Sequence, residues 1–187
     1  MIQTIGMLEF NSIAKGIETC DVMLKAAEVS LIRASTVCPG KNIIIITGDT
    51  GSVKASILAG EMNGGECVVD KMTIQNVHPQ LIPALSGTAL SGTAQVIKGD
   101  AIGAMEFYSI TSAIKAADVA AKAAQISLVG ITMGYAVGGK GIVTLTGDVG
   151  AVRAAVAAGI EEAARMDLYI GSTVIPKYAP ELFDSLL

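Results

Sequence analysis

The residues with the clearest capacity for chemistry are three cysteines and a single histidine: Cys20, Cys38, Cys67 and His78. No two of the cysteines form a C-x-x-C pair, so the spacing gives no sign of a metal site built within one chain. The first residues lack the basic and apolar regions of a signal peptide. An odd number of cysteines without such a signal favours a reducing compartment, with free or metal-bound thiols.

Cys38 differs from the other two cysteines in its neighbours. Cys20 falls on the apolar stripe of a predicted helix, and Cys67 begins a predicted strand, so both are expected to be small core residues. Cys38 precedes Pro39 and Gly40, which form turns, so its side chain is predicted to lie outside the core. One thiolate cannot hold a metal cluster, but three from three chains could supply most of the four thiolates that an iron–sulfur cubane prefers.

The remaining candidate motifs favour structural interpretations. The stretch GYAVGGKG (134–141) matches the start of a phosphate-binding loop, but Gly141 stands where Ser or Thr should be, and a strand-like run follows. It therefore predicts a Gly-rich hairpin loop. Asp49 and Asp148 precede two helices at equivalent positions, which predicts N-caps. His78 is expected at a turn, as a surface or capping residue. No nucleophile, base and orienting residue occur together, so we expect no enzyme.

Composition narrows the functional classes. Half of the chain is hydrophobic (51%), only 16% is charged, and the mean hydropathy is +0.58. No run approaches the roughly 18 apolar residues of a membrane span, so the excess apolar surface favours subunit interfaces. A net charge of −4, 4% aromatic residues and no tryptophan argue against nucleic-acid binding.

The elements that must position Cys38 occur twice. Residues 5–31 align with 102–128 at an offset of 97 (102 minus 5), and 41–60 align with 140–159 at an offset of 99 (140 minus 41). Val77-x-Pro79 and Val174-x-Pro176 return the offset to 97. We predict domains at 1–88 and 98–187, with a linker at 89–97 that overlaps the stretch SGTALSGTAQ (86–95).

Each repeat predicts the order β-α-β-β-α-β, an α+β sandwich of the ferredoxin-like type with helices on one face of an antiparallel sheet. The first repeat predicts strands at 4–10, 30–37, 43–47 and 67–74, a helix after Ser12, a helix after Asp49 and a short helical tail at 78–85. The first helix carries one apolar stripe, formed by Ile13, Ile17, Cys20, Leu24 and Ala27, and the second repeat carries its counterpart, formed by Ile110, Ile114, Ala117, Ala121 and Ala124.

Two residue sets carry a family resemblance. They are Asp21–Ala27 (DVMLKAA), repeated as Asp118–Ala124 (DVAAKAA), and the IG-x-(L/M)-E opening of each repeat. With the element order, they resemble the bacterial microcompartment shell domain, and the pair of domains resembles the unpermuted tandem shell proteins that form pseudohexameric trimers. The resemblance implies a location in the shell of a cytoplasmic compartment, other shell proteins as partners, and neither membrane nor nucleic acid.

CPGK at 38–41 further resembles the shell proteins of propanediol-utilisation compartments that carry a [4Fe–4S] cluster. The resemblance implies that Cys38 is the metal ligand, one per chain and three per trimer, and that Val37, Pro39, Gly40 and Lys41 form the pore loop. It implies one cluster per trimer, for electron transfer across the shell or for iron–sulfur delivery or sensing. A lumenal or cytosolic redox enzyme is then a candidate partner, and Lys41 would add positive charge near the cluster.

The resemblance also places Lys25 and Lys122 at subunit edges, packed against neighbouring tiles. A plain alternative is a helix-surface ion pair, because each lysine follows an aspartate by four residues. Two alternatives to the cluster hypothesis remain at this point. One is a shell pore for metabolites without a cofactor, and the other is a monomeric sensor or regulatory domain, since this topology serves several functions.

Overall fold

The computed structural model describes residues 3–87, 99–164 and 168–186. The chain divides into two compact units, Met1–Val77 and His78–Leu187. The predicted linker at 89–97 lies outside the described residues. The tail helix that follows the first repeat is part of the second unit.

The first unit contains the predicted element order. Its elements are β1 (Thr4–Phe10), α1 (Ile13–Ala26), β2 (Ser30–Val37), β3 (Lys41–Gly48), α2 (Thr50–Gly64) and β4 (Val68–Ile74), with a 3₁₀ turn at Gly65–Cys67. The strands form one antiparallel sheet in the order β2-β3-β1-β4.

The second unit repeats this architecture after one short helix. Its elements are α3 (Leu81–Ser86), β5 (Ala101–Phe107), α4 (Ile110–Ala123), β6 (Ile126–Met133), β7 (Gly141–Gly147), α5 (Val149–Ala164), β8 (Tyr169–Pro176) and α6 (Pro180–Ser185). Its sheet order, β6-β7-β5-β8, matches that of the first unit, and all pairs are antiparallel. Two tandem α+β domains are therefore confirmed.

Side-chain caps start the helices where the sequence predicts them. The hydroxyl of Ser12 accepts from the amide of Lys15, and that of Ser109 accepts from Ser112 in the second repeat. The carboxylate of Asp49 accepts from the amides of Gly51 and Ser52. A hydrogen bond with the Ser52 side chain, together with these amides, lowers the pKa of Asp49. Asp148 immediately precedes α5. These bonds satisfy amides that have no partner within the helix.

The core of the first unit lies between its helices and its sheet. Leu8 and Phe10 of β1 pack with Cys20 and Met23 of α1 and with Ile57 of α2. Burial raises the pKa of the Cys20 thiol, which behaves as the small core residue expected from sequence. Cys67 is half-buried and packs against the same cluster.

The apolar stripe of α1 differs from the face that this helix buries. Ile13, Ile17 and Leu24 are exposed, and Ile17 is 65% exposed. The helix instead buries Gly16, Thr19, Cys20 and Met23. In the second unit the counterpart stripe residues Ile110, Ile114, Ala117 and Ala121 are all buried. Both repeats therefore carry the stripe in their sequences, but only the second unit buries most of it.

The strand register also corrects the alignment of the repeat ends. Ile5 pairs with Ile74, and its counterpart Ile102 pairs with Ile175, so the final strands are offset by 101 (175 minus 74). The left-handed residues Asn76 and Lys177 have the same offset. Pro79 therefore corresponds to Pro180 rather than to Pro176. The second repeat has gained residues between α5 and β8 that a match of two residues could not detect.

Candidate functional site

Cys38 opens the hairpin loop between β2 and β3. Val37 pairs with Lys41, which leaves a loop of three residues, Cys38, Pro39 and Gly40. Val37 is buried, Cys38 is half-buried, and the other two loop residues are exposed. Gly40 has φ +77, a left-handed conformation that favours glycine. The loop thus holds a half-buried thiol at the end of a regular hairpin, at the turn that Pro39 and Gly40 predict.

The equivalent loop of the second unit is longer and has no cysteine. Met133 pairs with Gly141 as Thr36 pairs with Asn42, and seven residues rather than five lie between these partners, so the two inserted residues fall within this hairpin. Tyr135 takes the position of Cys38 and is 71% exposed. Several loop residues have positive φ, and a strand follows the loop, which confirms a Gly-rich hairpin rather than the strand–loop–helix arrangement that holds phosphates.

An ion pair fixes the lysine that ends the Cys38 loop. The ammonium of Lys41 lies 2.8 Å from a carboxylate oxygen of Glu9 on β1, and the Glu9 side chain is only 8% exposed. Lys140 and Glu106 repeat the pair at 2.9 Å, which raises the pKa of Lys140. The positive charge expected from Lys41 beside Cys38 is therefore balanced by a buried carboxylate.

A single chain supplies one thiol at this loop. All three cysteines are free, and among residues 3–87, 99–164 and 168–186 no three His, Cys, Asp or Glu side chains converge on a possible metal position. The donor chemistry suits iron–sulfur ligation, because thiolates are the preferred ligands of such clusters. The residues fit a cluster only if further copies of the chain bring their Cys38 thiols to the same place.

Both candidate edge lysines form ion pairs along their own helices. Lys25 lies 2.5 Å from Asp21 on α1, and both side chains are mostly exposed. Lys122 lies 2.5 Å from Asp118 on α4, where the aspartate is only 5% exposed. The helix-surface pairs that the spacing allows are thus present, and the edge-packing role remains a prediction.

The short segment before α3 makes polar contacts that the sequence does not reveal. The amide of His78 donates to Asp118 at 2.7 Å, and the His78 ring accepts from the amide of Gln80. The Gln80 side chain donates to the carbonyl of Ile126 at 2.8 Å and accepts from the amide of Leu128 at 2.7 Å. His78 lies at a turn before α3, as expected from sequence, but the N-cap position of α3 belongs to Gln80. The Gln80 side chain covers the edge of β6 as a short strand would.

Each of the two units matches a known domain family. The model of the BMC domain matches residues 4–77 and 101–178, one match for each sheet. The chain is a tandem BMC-domain protein of the bacterial microcompartment shell family. It is 40% identical to the bacterial microcompartment shell protein PduT of Citrobacter freundii, over 95% of this chain and 94% of that protein.

Solved structures of shell proteins share the fold. A microcompartment protein from Desulfitobacterium hafniense DCB is 44% identical, with a TM-score of 0.91 over 97% of this chain and 98% of that chain. The fused permuted hexameric shell protein MSM0275 of the RMM microcompartment is 25% identical, with a TM-score of 0.57 over 88% of this chain and 85% of that one. This tandem BMC protein is accordingly a structural component of a microcompartment shell. In the described part of the chain, no helix has the length and apolar character needed to cross a membrane.

Proposed function

We propose that this shell protein forms a pseudohexameric trimer whose central pore binds one [4Fe–4S] cluster through the three Cys38 thiolates. The observation that carries the proposal is the placement of Cys38. It is a half-buried thiol at the start of a short hairpin loop, and the second repeat has Tyr135 at the same point. The fold is maintained in the second repeat without a cysteine there, so the residue is available for a function specific to this loop.

The residues around Cys38 have distinct roles in this proposal. Gly40 takes the left-handed conformation that closes the three-residue turn. Its amide can donate to a cluster sulfur, and such a contact tunes the reduction potential. Glu9 balances the charge of Lys41, so the lysine positions the end of the loop rather than acting as a free cation at the pore. When bound, a cluster of this kind supplies one-electron transfer, which suits electron passage across the shell or iron–sulfur delivery or sensing.

The test measures iron and acid-labile sulfide on anaerobically purified protein, together with its mass in solution and the low-temperature EPR of the reduced protein. About one cluster per trimer is expected for the wild type. Cys38→Ser should abolish it, and Cys67→Ser is the matched control, because Cys67 is also a free, half-buried thiol. A cluster retained in the Cys38→Ser protein would contradict the assignment of Cys38 as the ligand.

A second candidate is a pore for metabolites without a cofactor. It requires no ligand beyond the single Cys38 thiol that each chain supplies at this loop. In that case Cys38 is a free thiol at the pore. A trimer that stays colourless and free of iron after anaerobic reconstitution would support this function over the first.

A further inference from the structure

We infer that the outward face of α2 is a contact surface between two copies of the chain, which pair antiparallel about a two-fold axis. The surface consists of Lys54, Leu58 and Met62 on the helix and Glu66 in the 3₁₀ turn that follows it. Residues spaced by four form one continuous row of side chains, a ridge, along a helix. These four residues are the α2 ridge. The inference goes beyond the proposed cluster, because it concerns association between copies and does not involve the Cys38 loop.

The middle of the α2 ridge is apolar and open to solvent. Leu58 is 58% exposed, and Met62, a side chain that adapts readily to a binding surface, is 77% exposed. The neighbouring row on the helix contains only small residues, Gly51, Ala55 and Ala59. A ridge of large side chains beside a shallow row is the arrangement that two helices need to pack ridge into groove. Adjacent exposed apolar side chains of this kind favour an interaction surface.

The second repeat shows that the fold does not require these apolar residues. At the offset of 99 between the two helices, Leu58 corresponds to Ala157 and Met62 corresponds to Glu161. Both counterparts are exposed, so α5 carries a version of the same face that suits water. In that unit α3 packs against α4 and β6 and leaves this face of α5 exposed. The large apolar side chains are therefore specific to α2, on a face that is separate from the one covered by α3.

Opposite charges stand at the two ends of the α2 ridge. Lys54 and Glu66 are both exposed, and neither belongs to an ion pair within residues 3–87, 99–164 and 168–186. In an antiparallel pair centred between Leu58 and Met62, each Lys54 lies beside the Glu66 of the other copy. Each Leu58 then lies beside the other Met62. The ridge is thus complementary to itself, as a two-fold contact requires, and the order of charges favours antiparallel over parallel pairing.

The size of the contact sets its strength. It joins two leucine and two methionine side chains with two exposed charge pairs, fewer groups than an interface of roughly 1,200–2,000 Å² contains. Exposed charge pairs add little to affinity, so the apolar centre supplies most of the attraction. We therefore expect a reversible association that rises with protein concentration. In the proposed trimer three copies of the ridge are present, so the same contact links separate trimers, and several such contacts reinforce one another.

Charge reversal tests the pairing, because a second reversal repairs it. Lys54→Glu places two acids at each end of the pair and Glu66→Lys places two bases there, so each variant should associate about tenfold more weakly. The double variant restores opposite charges and should associate as the wild type does. Met62→Glu, which reproduces the second repeat, should abolish the association. Arg153→Glu, at the counterpart of Lys54 on α5, is the matched control and should change nothing.

Sedimentation equilibrium over a range of protein concentrations measures the association of each protein. All of the substituted side chains are exposed, so the variants should fold, as circular dichroism can verify.

The outcomes separate this inference from the proposed function. A wild-type trimer that shows no further association at any concentration overturns the inference and leaves the trimer intact. Association that Met62→Glu does not weaken also overturns it, and so does a folded double charge variant that associates no better than the single variants. A wild-type protein that forms dimers instead of trimers, through a contact that Met62→Glu removes, supports the α2 pairing and overturns the proposed trimer.

Discussion

Gly16 of α1 and Asn42 of β3 share a space that only one side chain can fill. A Cβ atom placed on Gly16 would lie 2.4 Å from the side-chain oxygen of Asn42, far inside contact distance. In the second repeat the volumes are exchanged: the helix carries Ala113 and the strand carries Gly141, where an added Cβ would lie 2.4 Å from that of Ala113. The helix and the sheet approach closely in both units, but the glycine that permits this lies on the helix in the first unit and on the strand in the second.

This exchange predicts a strongly coupled pair. Gly16→Ala should destabilise the protein by about 1–3 kcal/mol through overpacking, although alanine is the better helix former. The double variant Gly16→Ala with Asn42→Gly reproduces the second repeat and removes the buried Asn42 oxygen, which has no hydrogen-bond partner among the described residues. It should recover most of the loss. Urea unfolding of the wild type, both single variants and the double variant gives the coupling, expected at about 0.5–3 kcal/mol; additive effects would contradict it.

Local sequence patterns predicted the helices and strands, but they could not predict contacts between residues that lie far apart in the sequence. The strands at Thr4–Phe10 and Ser30–Val37 and the caps at Ser12 and Asp49 follow from alternation and side-chain chemistry within a few residues. The bonds of Gln80 to β6 span 46 and 48 positions, and no local signal marks them. Glu9 and Lys41 also lie 32 positions apart, but their recurrence as Glu106 and Lys140 was a signal in the duplication that could have identified the pair.

The exposed stripe of α1 shows a second limit of prediction from sequence. Periodicity identifies an apolar face, but it does not distinguish a face that packs within a domain from one that packs on another segment or copy. Ile17 and Ile114 belong to the same pattern, yet one is exposed and the other is buried. The loop of Cys38 was predictable because Pro39 and Gly40 specify a turn locally. Its proposed metal partners were not, because the described part of one chain does not contain them.

The edge contact of Gln80 should contribute measurably to stability. Gln80→Ala removes two hydrogen bonds to β6, so we expect a loss of about 1–3 kcal/mol at roughly 0.5–1.5 kcal/mol per bond. Gln80→Glu should lose about half of that, because a carboxylate can accept from Leu128 but cannot donate to the carbonyl of Ile126. Chemical unfolding measures both variants, and hydrogen exchange of the Leu128 amide reports the edge directly. Unchanged protection of that amide in Gln80→Ala would show that the contact is not stabilising.

The two ion pairs beside the hairpin loops should differ in strength. Lys41→Met leaves the carboxylate of Glu9 buried without its cation, and we expect a loss of about 1–3 kcal/mol. Lys140→Met is the matched control from the second repeat. It should cost less, because the Glu106 side chain is 36% exposed against 8% for Glu9 and water can replace the lysine. Equal losses in thermal unfolding of the two variants would contradict the role assigned to burial.

His78 should make stability depend on pH near neutrality. Burial lowers its pKa below the usual 6.5, a shift that the charge of Asp118 opposes and that of Lys122 reinforces. The unfolded chain therefore binds a proton more readily than the folded one. The stabilisation that comes from the neutral His78 ring is complete above about pH 6.5 and is lost as the pH falls through the folded pKa. His78→Asn keeps a side-chain acceptor for the Gln80 amide and removes the titration. The free energy of unfolding, measured by urea at pH 7.5 and 5.5, should fall more for the wild type than for His78→Asn. A difference between the two proteins that stays constant with pH would contradict a neutral, partly buried imidazole at this position.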